Sequence, residues 1–328
     1  MSPFKLVDAH SAAEAVALLQ AHGPHSRPIA AGGDLLGLLK DGIAGPSLMP
    51  PQVLVNLANA ADVSRIDRAA GYWRLGATAT LDQLAATPGL APIIAEVAAR
   101  IASPQLRART TLAGNLLQRP RCMYFRHPDE MCFKKGGNGC PALGGPVQAY
   151  PGSLLAGPCH AGHPSDLAPA LIALGAKAVL CGPDGLRHVT LSALYRNAAH
   201  QTDGEAALAP HEILSAVQVD DTVIEQAFEK VAPRDANEFA TASAAVAGAS
   251  VNGKWSVLRI ALGGVAPGPL ELDTDHLIGT PVGETDALAC MRSLLPPDLA
   301  LPMSTRLPFS LLVIDRALGR IKSRLVGE

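Results

Sequence analysis

RPRCMYFRHPDEMCFKKGGNGCPALGG (residues 119–145) and PCHAGHPSD (158–166) hold four of the chain's six cysteines, Cys122, Cys132, Cys140 and Cys159. Their spacing is C-x9-C-x7-C-x18-C. Glycine and proline are scattered between them, and neither helical nor strand periodicity runs through the stretch, so its backbone needs another organiser. Common zinc modules use paired short knuckles, and bacterial ferredoxins use a tight cysteine run; this spacing is neither. An iron–sulfur cluster, zinc, disulfides and no site at all stay open on spacing alone. Arg119, Arg121, Arg126, Lys134 and Lys135 crowd the first three cysteines. Positive charge of that kind favours thiolates and offsets an anionic cluster. Gly136-Gly137-Asn138-Gly139 allows backbone amides to approach sulfur. His127, His160 and His163 read as loop residues, and Cys181 and Cys290 as small buried hydrophobes in a strand and a helix.

Outward on the C-terminal side, Ser165 reads as the N-cap of a helix over 166–174. Strands follow at 176–181, 189–191 and 212–219. From about residue 222 the pattern changes to strands at 223–231, 243–251 and 255–265, with Asn252-Gly253 as a hairpin turn, and then helices at about 283–295 and 308–325. On the N-terminal side, SPQLRARTTLAGNLLQ (103–118) places Thr110 and Thr111 beside what reads as a Gly114-Asn115 turn. Before it, Ile93, Ile94, Val97, Ala98 and Ile101 have helical spacing, with Ser103-Pro104 read as the stop. Tyr72–Gly76 is a strand end, and Thr80 caps a helix from Leu81. Residues 1–60 form a small α/β unit with a Ser11/Glu14 capping pair and a strand at 52–57. In that unit Pro28-Ile29 runs into Ala31-Gly32-Gly33-Asp34-Leu35, where a glycine pair opens a helix and backbone N–H groups are free to meet an anion.

The chain has 328 residues, 48% hydrophobic but only 4% aromatic, so its core is packed from small side chains. A net charge of -2 leaves no nucleic-acid or anionic-membrane footprint. No apolar run reaches the roughly 18 residues of a membrane span, and the N-terminus MSPFKLVDAHSAAEAV lacks a signal peptide's pattern. The expected location is therefore cytoplasmic, or periplasmic if the chain is exported folded on a partner that carries a signal. No Ser/His/Asp triad or carboxylate pair stands out, so no catalytic residue is expected.

Six segments taken in order, AGGDLLGLLK (31–40), IASPQLRARTTLAGNLL (101–117), PSDLAPALIALGA (164–176), EILSAVQV (212–219), KVAPRD (230–235) and ALGGVAP (261–267), carry a resemblance. The chain resembles the FAD-binding medium subunits of the molybdenum hydroxylases, the family of xanthine dehydrogenase, carbon monoxide dehydrogenase and aldehyde oxidoreductase. Most members pass from the second glycine motif to the Ser-Asp motif within a few residues. A subset carries a [4Fe–4S] insertion there, and QRPRCMYFR with GCPALGG is most similar to its aldehyde oxidoreductase type.

The resemblance implies an α+β fold: a two-subdomain FAD-binding domain of the vanillyl-alcohol-oxidase (PCMH) type over 1–221, followed by a C-terminal sheet-and-helix domain over 222–328. The subdomains fall at about 1–60 and 61–221, with the iron–sulfur insertion at about 119–163. It implies FAD contacts from Ala31, Gly32, Gly33, Asp34, Leu35, Ile101, Thr111, Gly114, Asn115, Asp166, Leu214 and Lys230. It implies cluster ligation by Cys122, Cys132, Cys140 and Cys159. The first loop departs from the family's A-G-G-T-D/N-L by lacking the Thr, and is one residue short. The implied role is electron transfer beside a large molybdenum-cofactor subunit and a small [2Fe–2S] subunit, through FAD to an external acceptor. A subunit of a reductive aromatic acyl-CoA reductase, and a zinc-holding structural subunit without FAD, are the alternatives.

Overall fold

A computed structural model describes residues 1–143, 152–222, 224–294 and 305–326, with Val326 described in its backbone only. The first unit is β1 (Lys5–Asp8), α1 (Ala12–His22), β2 (Ser26–Ile29), α2 (Leu35–Lys40) and β3 (Val53–Asn56). Its strands form a parallel sheet in the order β1-β3-β2. Ser11 caps α1 as expected, its Oγ accepting from the Glu14 N–H. Glu14 turns its carboxylate to the His10 N–H instead of completing a box. Ala12, Ala15, Val16 and Leu19 bury the face of α1 that packs on the sheet.

The second unit is β4 (Ile66–Ala69), β5 (Tyr72–Gly76), α3 (Leu81–Ala86), α4 (Pro92–Arg100), α5 (Pro104–Arg107), α6 (Leu112–Leu116), α7 (Leu167–Ala173), β6 (Lys177–Gly182), β7 (Gly185–Thr190), α8 (Leu191–Tyr195) and β8 (Ile213–Asp220). Its antiparallel sheet runs β4-β5-β8-β6-β7. Ile213–Val217 is an unbroken buried run, which suits the central position of β8. Two expectations are corrected. Ser103-Pro104 does not stop α4, which ends at Arg100; it starts α5, with Ser103 as cap and Pro104 in the first turn, where a missing N–H costs nothing. Gly114-Asn115 is not a turn but lies inside α6, capped by Thr111.

The third unit is β9 (Glu225–Val231), β10 (Ala242–Val251), β11 (Lys254–Gly263), β12 (Leu270–Glu271), α9 (Ala287–Met291) and α10 (Leu307–Val326). Its antiparallel sheet runs β12-β11-β10-β9. The expected start of β9 at Val223 and the expected helix end at 295 lie outside the described residues. Asn252 and Gly253 both have positive φ (52° and 71°), as the two-residue turn between β10 and β11 requires.

Alternation along β10 decides how the units join. Ala244 and Val246 face the core with α10, while Ala245 and Ala247 face the core with α4 and α7. The third sheet is thus covered on both faces, and alanine lets the covering helices come close. A Cβ on Gly263 would lie 2.9 Å from the Cγ of Pro169 in α7. The described part of 119–143 holds no strand or α-helix, only short 3-10 turns at Phe133–Lys135 and Pro141–Leu143. The sequence pattern foretold that irregularity.

Candidate functional site

The glycine loop between β2 and α2 turns at Gly32, whose φ of +71° is the left-handed region that favours glycine. Leu36 N–H donates to Gly32 O at 2.9 Å, closing the first helical turn. Among the described residues, no acceptor faces the N–H groups of Gly33, Asp34 and Leu35. A Cβ on Gly33 would meet nothing within 4 Å, so that side of the loop is open. The Asp34 carboxylate points the other way, into the cysteine stretch. Its Oδ2 accepts the Arg119 backbone N–H at 2.8 Å. Its Oδ1 accepts the Arg126 guanidinium at 2.7 Å and lies 3.1 Å from that of Arg121.

The second loop is α6 and its cap. Thr111 Oγ1 accepts the Gly114 N–H at 3.1 Å, spending the hydroxyl on the helix start. Asn115 is buried, and its Oδ1 accepts the Ser165 hydroxyl at 2.6 Å. Ser165 Oγ in turn accepts the Ala168 N–H at 3.0 Å, performing the expected cap of α7 from one residue further out. Next in line, Asp166 Oδ2 accepts Lys230 Nζ at 2.6 Å, and Lys230 also donates to the Glu238 carbonyl at 2.6 Å. Burial holds the Asp166 carboxyl above its ordinary range, against the pull of Lys230. Asn115, Ser165, Asp166 and Lys230 therefore form one chain of buried contacts across three elements. Ile101 packs at the edge of the central core, and Leu214 lies within that core, opposite Leu180 in the β6–β8 ladder.

Cys122, Cys132, Cys140 and Cys159 line a common cavity with Phe125 and Lys134. Three of the thiols are buried and Cys140 is half-exposed. Cys122, Cys132 and Cys159 share a small apolar cluster with Leu38 and Ile43 of the first unit. As free thiols, Cys132 and Cys159 are hard to ionise: burial pushes Cys132 up and Cys159 up to about 12. Among the described residues no three His, Cys, Asp or Glu side chains close around a single ion.

The positive charge expected around the cysteines is partly paired, four of the five cations sharing the two carboxylates of Asp34 and Glu205. Lys134 is 1% exposed and lies 3.1 Å from Glu205, and Arg119 Nε faces the same carboxylate at 3.1 Å. The two Glu205 contacts lie off the hydrogen-bonding line, so they act as charge pairs. Lys134 Nζ donates to the Ala198 carbonyl instead, and Lys135 Nζ to the His127 carbonyl. Glu205 was not legible in sequence, because it is one acid in an unremarkable loop and its importance comes from burial. His163 is also more than a loop residue. It is buried edge-on against Tyr195, with its pKa pushed down to about 3 by burial, while Tyr195 donates to the Leu116 carbonyl. His127 is exposed as expected.

Residues 2–220 match the family described as "FAD binding domain in molybdopterin dehydrogenase". The chain belongs to that family. It is 34% identical over 280 residues to the aldehyde oxidoreductase FAD-binding subunit PaoB of Escherichia coli (strain K12), covering 83% of this chain and 85% of that one. It is 29% identical over 327 residues to the carbon monoxide dehydrogenase medium chain of Afipia carboxidovorans (strain ATCC 49405 / DSM 1227 / KCTC 32145 / OM5), covering 96% and 95%. Among solved structures, reconstituted CO dehydrogenase from Oligotropha carboxidovorans superposes with a TM-score of 0.72 at 27% identity, over 99% of this chain and 100% of that chain. The molybdopterin-dehydrogenase membership makes this an FAD subunit of a multi-subunit oxidoreductase, with the α+β fold that the sequence implied. The glycine loop fits that cofactor: free N–H groups on its open side suit an anionic diphosphate, and its one carboxylate is turned away. No helix among the described residues is long and apolar enough to cross a membrane.

Proposed function

We propose that this chain is the electron-transfer subunit of a molybdenum-dependent aldehyde oxidoreductase, holding FAD and a [4Fe–4S] cluster. FAD supplies the exchange between one-electron carriers and a two-electron acceptor; the protein supplies position and electrostatics. A division of the chain at about 221/222 is supported by the gap between β8, which ends at Asp220, and β9, which begins at Glu225. Backbone N–H groups of Gly33, Asp34 and Leu35 take the diphosphate, with Ala31 and Gly32 shaping the loop. Thr111, Gly114 and Asn115 form the second loop. Asp166 and Lys230 flank it from the neighbouring elements, while Ile101 and Leu214 supply apolar backing. Partners are a large molybdenum-cofactor subunit and a small [2Fe–2S] subunit, with electrons leaving to an external acceptor.

The observation that carries the cluster is the cavity itself. Four thiols from separate stretches of the insertion line one space walled by aromatic and aliphatic groups. Tetrahedral zinc draws its ligands to a single point, with sulfur about 2.3 Å from the metal. A polynuclear cluster takes one thiol per iron around a larger space, and a cavity lined by all four thiols supports that reading. Lys134 at the wall pulls the Cys159 thiol toward the thiolate form that ligation needs, against burial and the Glu205 carboxylate. Absorbance, iron, sulfide and zinc analysis of the purified chain tests this reading. Flavin bands over a broad cluster shoulder, together with co-purification with a molybdenum-containing subunit, are expected. A colourless, zinc-containing protein sinks it.

A further inference from the structure

Asp34 carries the only carboxylate in the glycine loop, beside the open N–H groups. A negative charge in that position opposes a diphosphate unless something neutralises it and turns it aside. The cysteine insertion does both. Arg126 and Arg121 bring two guanidinium groups to Oδ1, and the Arg119 N–H takes Oδ2. Arg119 follows α6 by only three residues, so this contact joins the first loop directly to the end of the second. The clamp is itself braced. Arg126 also donates to the carbonyls of Pro120 and Arg119, and Phe125, which lines the cysteine cavity, lies under both Arg119 and Arg126 at 5.0 and 5.5 Å. The cavity wall and the Asp34 carboxylate therefore share one continuous set of contacts.

We propose that Asp34 is a positioning residue through which the folded cysteine insertion sets the first FAD loop, so that FAD retention depends on the insertion's arginines. This rests on the reading of Gly33–Leu35 as the diphosphate site, and the carboxylate itself touches no cofactor. The insertion is thus part of the flavin site as well as a cluster holder.

The sign of one substitution separates this from simple charge repulsion. If Asp34 were merely a charge near an anion, Asp34→Asn would tighten FAD binding. As a clamp it must loosen binding, by about tenfold or more for the loss of charge-assisted hydrogen bonds. The test uses the full chain, stripped of FAD and titrated with FAD by flavin fluorescence, for wild type, Asp34→Asn, Arg126→Gln, Arg126→Lys and the double variant Asp34→Asn/Arg126→Gln. Iron content and thermal melts are read in parallel. Both single neutralising variants are expected to weaken FAD binding with iron retained. The double variant should be no weaker than the worse single, because the two act on one contact. Arg126→Lys, which keeps the charge, should recover most of the affinity and shows that folding is not the cause. Tighter or unchanged FAD binding in Asp34→Asn, or additive losses in the double variant, overturns the proposal. A wild-type chain that binds FAD without iron would defeat the cluster reading alone, and the FAD titrations would still judge the clamp.

Discussion

Replacing Lys230 with methionine removes the cation from a buried pair while keeping most of the side chain's volume. Asp166 and Lys230 meet at 2.6 Å with side chains 9% and 12% exposed. Taking one partner from a buried pair costs about 3–5 kcal/mol, because the remaining charge is left in low dielectric. At about 2–4 °C per kcal/mol for a cooperative unit of this size, the melting temperature should fall by roughly 6–20 °C. The deficit also has a pH dependence. Burial already raises the Asp166 pKa, while the charge and hydrogen bond of Lys230 pull it down. Without Lys230 the value rises further. A carboxyl with a raised folded pKa adds stability that is full below its unfolded value, about 3.9, and is lost as pH rises through the folded value. The variant's deficit therefore grows with pH, across the window between the wild-type folded value and the higher one in the variant. Thermal melts of the FAD-free chain at about pH 5.5 and about pH 8 measure it without contributions from cofactor loss. A loss under about 1 kcal/mol at the higher pH, or equal deficits at both, would refute the argument that Asp166 is a buried charge held by this lysine.

Ser165→Ala should leave Asn115 Oδ1 buried without its donor and remove the hydroxyl that caps α7. A loss of about 1–3 kcal/mol is expected by urea unfolding, and wild-type stability would show that the contact between the two motifs is dispensable. Gly263→Ala would place a Cβ 2.5 Å from Ser243 Oγ and 2.9 Å from Pro169 Cγ. That overpacking should cost about 1–3 kcal/mol in the same assay, and a neutral result would mean that α7 is free to back away from β11. Cys122→Ser should lose the iron of the purified chain, and by the clamp argument part of its FAD. Iron content equal to wild type would remove Cys122 from the ligand set.

Much of the local structure is legible in the sequence, because it depends on neighbouring residues. Hydroxyl caps at Ser11, Thr80 and Ser165, the Asn252-Gly253 turn and the glycine pair at 32–33 are written in short stretches and appear in the structure as the sequence implies. The stretches misread were also local, but ambiguous. Ser-Pro suits either end of a helix, and only the lie of α4 against the core decides that Ser103-Pro104 begins one. Gly-Asn suits a turn, and the Thr111 cap commits it to α6 instead. The placement of buried charge, by contrast, depends on the folded chain. Asp34 reads as one more polar residue of a glycine loop until Arg119, Arg121 and Arg126 are brought to it from 85 or more residues away in sequence. Glu205 carries no signal at all until Lys134 and Arg119 converge on it. Burial and long-range pairing are properties of the folded surface and leave no periodicity in the chain. The cysteine stretch therefore announced an unusual site from sequence, while its attachment to the flavin loop was visible only once the chain had folded.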